Sequence, residues 1–262
     1  MGYKLLDSGY GKKLEAFGDV VLERPSPHAL WRPSFPKLWD KIDLSFSREK
    51  GWKGEKRSWI ATFADLAFHF APTDFGHVGF FPEHQSLWSL CPFAKGQKVL
   101  NLFGYTGAFS IRAAKQGAFV THVDASKPAV LWAKKNAAEN HIDSIRWIVE
   151  DAMKFLKKEQ RRGSLYDGII MDPPSFGRGA KGEVFQIETD LLDLLDGVFS
   201  ILKKNRSYLL VSCHTPGFTP LILEQMLGKN RKGGCKRIEL FLGDSSQVQI
   251  PAGVGVFWQS PC

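Results

Sequence analysis

Lys98-Val-Leu-Asn-Leu-Phe103-Gly104-Tyr105-Thr106-Gly107, followed by Phe119-Val-Thr-His-Val-Asp124, decides the fold of this chain. The first stretch is a short apolar run that stops at a glycine. The second is another apolar run that stops at an acid. Between them Phe109–Gln116 reads as a helix, with Gly117 as its stop. The same unit recurs downstream. Lys127–Asn140 reads as an amphipathic helix with Pro128 near its start, where proline is tolerated. Ile145–Val149 is a third strand, followed by Asp151 and a helix over Ala152–Arg161. Tyr166–Met171 is a fourth strand, ending at Asp172-Pro173-Pro174. Leu191–Leu202 is a helix and Ser207–Cys213 a fifth strand. Strands alternating with helices imply right-handed crossovers and a mainly parallel sheet, so the expected class is α/β and Rossmann-like.

Upstream of about Gly76 the pattern is different. Pro25-Ser-Pro27, Trp31-Arg-Pro33 and Phe35-Pro36 interrupt any helix. Short extended pieces fall at Asp19–Glu23, Ser58–Phe63 and Leu66–Phe70. The last two are joined by Ala64-Asp65 and read as a hairpin, although that dipeptide is a poor match to favoured hairpin turns. The expected organisation is a small β-rich domain over 1–73, a candidate for substrate binding, and a catalytic α/β domain over 74–262.

Ligands of open α/β sheets bind at the carboxyl ends of the strands, and the polar residues of this chain fall there. Gly104 and Gly107 let the backbone turn tightly and approach a ligand. Their spacing is G-x-x-G, not G-x-G-x-x-G, which argues against a pyrophosphate cradle and a nicotinamide dehydrogenase. Asp124 lies 20 positions after Gly104. A carboxylate there can accept hydrogen bonds from both ribose hydroxyls of an adenosine, or cap the helix that follows. Asp151 is placed to meet an adenine edge, or is likewise a cap. The most specific piece is Ile169-Ile-Met171-Asp172-Pro173-Pro174-Ser175-Phe176, where two prolines lock a loop that presents an acid rigidly above the sheet.

Composition narrows the partners. Hydrophobic residues make up 44% of the 262 residues and charged residues 24%, ordinary values for a globular protein. No apolar run approaches a bilayer span, and the N-terminus lacks a signal-peptide pattern, so a cytoplasmic protein is the expectation. Cys91, Cys213, Cys235 and Cys262 are scattered, which argues against a zinc site or a disulfide framework. The net charge of +8 points to a polyanion, and basic residues cluster at Lys154–Arg162, Lys203–Arg206 and Lys229–Arg237. Each cluster taken singly is also what a solvated helix face or loop looks like.

The motifs N-L-F-G-Y-T-G-A-F-S, V-D-A-S-K and M-D-P-P-S-F-G-R-G resemble those of methyltransferases related to the bacterial large-subunit ribosomal RNA cytosine-5 enzymes. Trp132–Asn136, Arg146–Phe155 and Gly177–Val184 resemble further motifs of one branch. The resemblance runs from about Phe75 onward. It implies S-adenosylmethionine held by Asn101, Phe103, Gly104, Tyr105, Thr106 and Gly107. It places Asp124, Ala125 and Ser126 at the ribose and Asp151 and Ala152 at the adenine. Asp172, Pro173 and Pro174 stand beside the methyl group. It also implies that Phe81 and Glu83, in His77–Gln85, contact the cofactor. The RNA-binding module often fused ahead of cytosine-5 members is not evident. Those members carry a Ser-Cys pair after the fifth strand, with the cysteine as nucleophile, and Ser212-Cys213-His214 matches it.

What the residues must supply depends on the acceptor. Cytosine C5 is a poor nucleophile, and a thiolate adding to C6 makes C5 electron-rich. Cys213 is the candidate nucleophile and Asp172 its partner on the base. Cys213 is equally readable as a small hydrophobe, and His214 as either its activator or a surface residue. Methylation of an exocyclic amine is the first rival. That chemistry places an aromatic directly after Pro-Pro, whereas Ser175 stands there and Phe176 follows one later. A non-catalytic RNA-binding module is the second rival. The partner expected on any of these readings is RNA, ribosomal RNA first.

Overall fold

The computed structural model describes residues 2–55, 57–179, 182–228, 231–244 and 248–261. Two compact units form, one from Met1–His84 with Phe241–Ala252, the other from Gln85–Leu240 with Gly253–Cys262. The first unit ends eleven residues beyond the break expected at 73, and recruits a distant segment. Leu242 and Ile250 of that segment pack on Leu5, a pairing of apolar side chains that sequence order does not reveal.

In the first unit β1 (Tyr3–Gly9), β2 (Lys12–Phe17), β3 (Val20–Pro25), β4 (Leu44–Ser47) and β5 (Gly51–Gly54) form a sheet in that order. Only β3 and β4 run parallel. β1 and β2 escape a reading by hydrophobic alternation because charged residues, Asp7 and Glu15, occupy buried positions; β4 and β5 are only four residues each. Glu15, fully buried, is bound by Arg24 at 2.8 Å, Lys13 at 3.1 Å and the Tyr3 hydroxyl at 3.0 Å. The two cations hold its carboxyl below the usual range despite burial. β6 (Trp59–Phe63) and β7 (Leu66–Phe70) are the expected hairpin. Ala64 supplies the left-handed turn residue at φ 53°, a conformation that asparagine or glycine adopts more cheaply. Phe17, Phe63, Phe68, Phe70 and Phe80 fuse into one aromatic cluster.

The second unit carries β8 (Lys98–Leu102), α1 (Ala108–Lys115), β9 (Phe119–Asp124), α2 (Lys127–Glu139), β10 (Arg146–Val149), α3 (Ala152–Arg161) and β11 (Gly168–Met171). A short hairpin of β12 (Phe176–Arg178) and β13 (Val184–Gln186) follows. Then come α4 (Ile187–Ile201), β14 (Tyr208–Cys213), α5 (Pro220–Leu227), β15 (Gly234–Leu242) and β16 (Ile250–Gln259), of which residues 241–242 and 250–252 are counted with the first unit. The seven-stranded sheet runs β10-β9-β8-β11-β14-β16-β15. Its first five strands are parallel, and β16 pairs antiparallel with β14. The strand order reverses between β8 and β11, and a ligand crevice opens at such a reversal.

Leu209, Val211 and Cys213 of β14 join Phe155, Leu156, Leu194, Val198, Leu223 and others in a core between the sheet and α3, α4 and α5. α1 and α2 pack against β8, β9 and β10. No helix among the described residues is long and apolar enough to cross a membrane.

Candidate functional site

Four consecutive parallel strands deliver side chains to one edge of the sheet. After β8 the chain turns through Phe103 at φ 54° and Tyr105 at φ 48°. Two non-glycine residues in the left-handed region mark a strained loop held by its surroundings. Gly107 closes it at φ 89° and stands as the residue before α1, its backbone N–H donating to the Gly104 carbonyl at 2.9 Å. From below, Asn136 Nδ2 donates to the Thr106 carbonyl at 2.9 Å. The Asn of the Trp132–Asn136 motif is therefore a support for the loop.

Gly104 has a reason the sequence did not show. A Cβ there would stand 2.4 Å from the ring of His122, which is fully buried. His122 Nδ1 is 2.9 Å from Ser110 Oγ, and Asn101 Nδ2 donates to the same hydroxyl at 2.9 Å. Burial pushes His122 down to about 3, so the ring is neutral. Asn101 thus spends its amide under the loop, and Gly104 makes room for an imidazole. We expect Gly104→Ala to cost about 1–3 kcal/mol through overpacking. Denaturant unfolding reads this as a lower midpoint with an unchanged slope.

Asp124 ends β9. Its Oδ2 accepts the Tyr105 N–H and its Oδ1 the Ser126 N–H, both at 2.8 Å. Burial pushes the carboxyl above its usual value, and the two N–H donors pull it back. A carboxylate offers about four acceptor positions, so the fixed group retains capacity for two further donors. Asp124 is not the cap of α2. Ser126 is, its hydroxyl accepting the Ala129 N–H at 3.3 Å. Asp151 does cap α3, accepting the Lys154 N–H at 2.9 Å, and still lines the cavity described next.

That cavity, about 160 Å³, is walled by Phe103, Asp124, Ala125, Ser126, Asp151, Ala152 and Pro174 of the expected residues. Val123, Glu150, Gly177, Arg178, Gly179, Glu183 and Phe185 complete it. The β12–β13 hairpin supplies five of these seven. It is joined to α3 by a Lys154–Glu183 ion pair, and Phe185 packs on Phe103 with centroids 5.4 Å apart. Four of these five belong to the Gly177–Val184 motif and Phe185 follows it directly, so the signal was present but carried no role. Asn101, Gly104, Tyr105, Thr106, Gly107, Asp172 and Pro173 do not line the cavity. The loop residues shape the wall behind it. Phe81 and Glu83 belong to the first unit, where Glu83 is buried and its charge acts on Tyr3, Lys13 and Arg24.

Beyond the cavity, Asp172 follows β11. Ser212 Oγ donates to its Oδ1 at 2.7 Å, and His214 Nε2 lies 3.5 Å from the same oxygen. Ser175 Oγ and Thr215 Oγ1 are 2.7 Å apart, tying the Pro-Pro loop to the end of β14. Successive strand residues point to opposite faces. Ser212 thus meets Asp172, and Cys213 packs in the core against the helical layer. Cys213 is 1% exposed. Burial pushes its thiol up, Asp172 pushes the same way, and hydrogen bonds from Thr215 oppose them. A nucleophilic cysteine needs exposure and a lowered pKa, and Cys213 has neither here. His214 faces Asp172. Cys91, Cys213 and Cys235 are free thiols, and Cys262 lies outside the described residues.

The cavity lining has the chemistry that an adenosine group calls for. Phe103, Val123, Ala152 and Phe185 offer apolar walls, and two strand-end carboxylates stand at its polar side. Comparison with known proteins shows the family. Residues 85–209 match a family model described as conserved hypothetical protein 95. The chain is 36% identical over 143 residues to ribosomal RNA large subunit methyltransferase I of Pseudoalteromonas translucida, covering 53% of this chain and 36% of that protein. It is 38% identical over 113 residues to ribosomal RNA large subunit methyltransferase K of Neisseria meningitidis, covering 42% of this chain and 32% of that one. The chain thus spans about a third of the length of these curated relatives. The crystal structure of a SAM-dependent methyltransferase from Agrobacterium tumefaciens superposes with a TM-score of 0.92 at 36% identity, covering 99% of this chain and 90% of that one. The Rossmann-like sheet, its strand-end acids and this full-length similarity establish that the chain belongs to the S-adenosylmethionine-dependent methyltransferases, with S-adenosylmethionine as its cofactor.

Proposed function

We propose that this enzyme methylates a base of large-subunit ribosomal RNA. The observation that carries the reading is the similarity of part of the chain to two large-subunit ribosomal RNA methyltransferases. Charge supports it. The first unit holds 12 basic and 12 acidic residues and the second 23 basic against 15 acidic, so the whole excess lies on the catalytic unit. This excess favours the second unit as the place of RNA contact. Of the three basic clusters, Lys229 lies outside the described residues. Arg231 is committed elsewhere, donating to the Leu227 carbonyl at 2.7 Å and lying over the Phe199 ring.

In this reading S-adenosylmethionine, when bound, supplies a methyl group on a sulfonium sulfur. Asp124 accepts the ribose hydroxyls, Asp151 meets the adenine, and Phe103 and Phe185 flank it. Phe81 and Glu83 are assigned to the cofactor by family resemblance alone. Transfer is an in-line displacement, so the remaining task is to hold the acceptor at attack distance. Asp172, fixed by Ser212, is the acceptor-side residue.

The burial of Cys213 favours an acceptor atom that reacts without prior thiolate addition. Comparing modified nucleosides in ribosomal RNA from strains with and without the gene tests both parts. Loss of one methylated base supports the ribosomal RNA reading, and an unchanged profile overturns it. Cys213→Ala should retain most activity. If it abolishes transfer with cofactor binding intact, and 5-fluorocytosine RNA traps a protein adduct, Cys213 is the nucleophile and cytosine C5 the acceptor.

A further inference from the structure

At the opposite edge of the sheet, where the parallel strands begin, a second cavity of about 660 Å³ opens. Lys98 at the start of β8, Arg146 at the start of β10, Arg162 after α3 and Lys203 after α4 all line it. One carboxylate inside this wall organises the guanidinium groups. Glu159 is 2% exposed, and its Oε1 lies 2.7 Å from Arg162 Nη1 and 3.8 Å from Arg146 Nη1. The Tyr166 hydroxyl donates to its Oε2 at 2.9 Å. These donors hold the carboxyl below its usual range against burial. Both arginine side chains remain at least half exposed. A guanidinium has five donors, so each keeps several beyond those spent on Glu159. Asp167, which pairs with Lys203, stands behind the wall. Counting it, four cations meet two carboxylates and the rim stays positive.

An aromatic ring sits beside these charges. Phe119, the first residue of β9, is 64% exposed and lines the same cavity. Cations near a helix C-terminus are favoured by its dipole, which accounts for Arg162. It accounts for neither Lys98 and Arg146, at strand starts, nor a phenylalanine in water. Guanidinium groups fixed by a buried acid, two lysines and an open ring are the elements that bind phosphates and stack an unpaired base.

We propose that this cavity is a second RNA-binding site, taking a single-stranded segment of the substrate. Phosphates lie on Arg146, Arg162, Lys98 and Lys203, and one base stacks on Phe119. The proposal rests on the RNA reading above. The six residues of β9 separate the two sites by about 20 Å, so this site anchors RNA away from the reacting nucleotide.

The test is anisotropy of a fluorescein-labelled single-stranded oligoribonucleotide across a salt series, with calorimetry of S-adenosylmethionine as a control. Arg146→Gln with Arg162→Gln should weaken RNA binding by about tenfold or more and reduce the salt slope by about 1.4, the value for two lost phosphate contacts. That variant leaves Glu159 unpaired, so Lys98→Gln with Phe119→Ser is measured beside it. It keeps the Glu159 network and should still weaken RNA several-fold with cofactor affinity unchanged. If wild type binds RNA and the Lys98/Phe119 variant binds it equally well, the second site is wrong and the RNA reading stands. If wild type binds cofactor but no oligonucleotide, the RNA reading fails and this proposal with it. AMP displacing the oligonucleotide from wild type at micromolar concentration, but not from the arginine variant, would assign the cavity to a free nucleotide and overturn the RNA assignment.

Discussion

Asp172→Asn should lower kcat by about a hundredfold or more, the scale of removing a positioned acid–base or hydrogen-bonding group, while S-adenosylmethionine affinity changes little. The residue follows β11 on a loop fixed by two prolines, and Ser212 Oγ holds it at 2.7 Å. Asparagine keeps that shape and an acceptor for Ser212, so the fold is preserved. What is lost is the charge that orients a donor on the incoming base. Single-turnover methylation of ribosomal RNA with calorimetry of the cofactor separates the two effects. A variant with full turnover would remove Asp172 from the acceptor side. A variant that loses cofactor affinity in parallel would place it with the donor.

Asp124→Ala acts on the other substrate. With Asp124 on the ribose, as proposed, removing its carboxylate leaves the sugar hydroxyls without their acceptor, a cost of about 1–3 kcal/mol. The Tyr105 and Ser126 N–H groups lose their acceptor as well. Cofactor affinity should therefore fall by roughly one to two orders of magnitude, read by calorimetry. Because burial raises the carboxyl above its usual value, wild-type affinity should also weaken on acidification before an ordinary aspartate would protonate. The charged form is the acceptor, so the loss runs with falling pH and is absent in the alanine variant. Equal affinity in wild type and variant, with an intact fold, would remove Asp124 from the ribose.

The α/β elements were legible because their physics is local. The run Lys98–Leu102 and the helix signals at Gly117, Pro128 and Asp151 depend on neighbours a few positions away, and the elements that were read form within a residue or two of their expected bounds, apart from α4, which starts four residues early; α5, β15 and β16 were not read. β1 and β2 were not legible, because Asp7 and Glu15 are buried where alternation calls for apolar side chains, and the partners that satisfy them, Trp39 and Arg24, lie on other segments; β4 and β5, four residues each, are too short to carry a pattern. The β12–β13 hairpin was quoted as a motif but has no apolar period of its own. It is held by Phe185 on Phe103 and by Lys154 on Glu183, contacts to residues tens of positions away.

By itself the sequence determined the parallel sheet, the acids at successive strand ends and the rigid Asp172 loop, since apolar periodicity, capping and proline geometry are written in consecutive residues. Only the tertiary structure decided which of those residues face the cavity. Gly104 gives way to the His122 ring, Asn101 turns under the loop to Ser110, and Ser212 and Cys213, adjacent in the chain, part to opposite faces. A strand's alternation fixes that two neighbours diverge. Which of them meets the site and which the core depends on the layer that packs against each face.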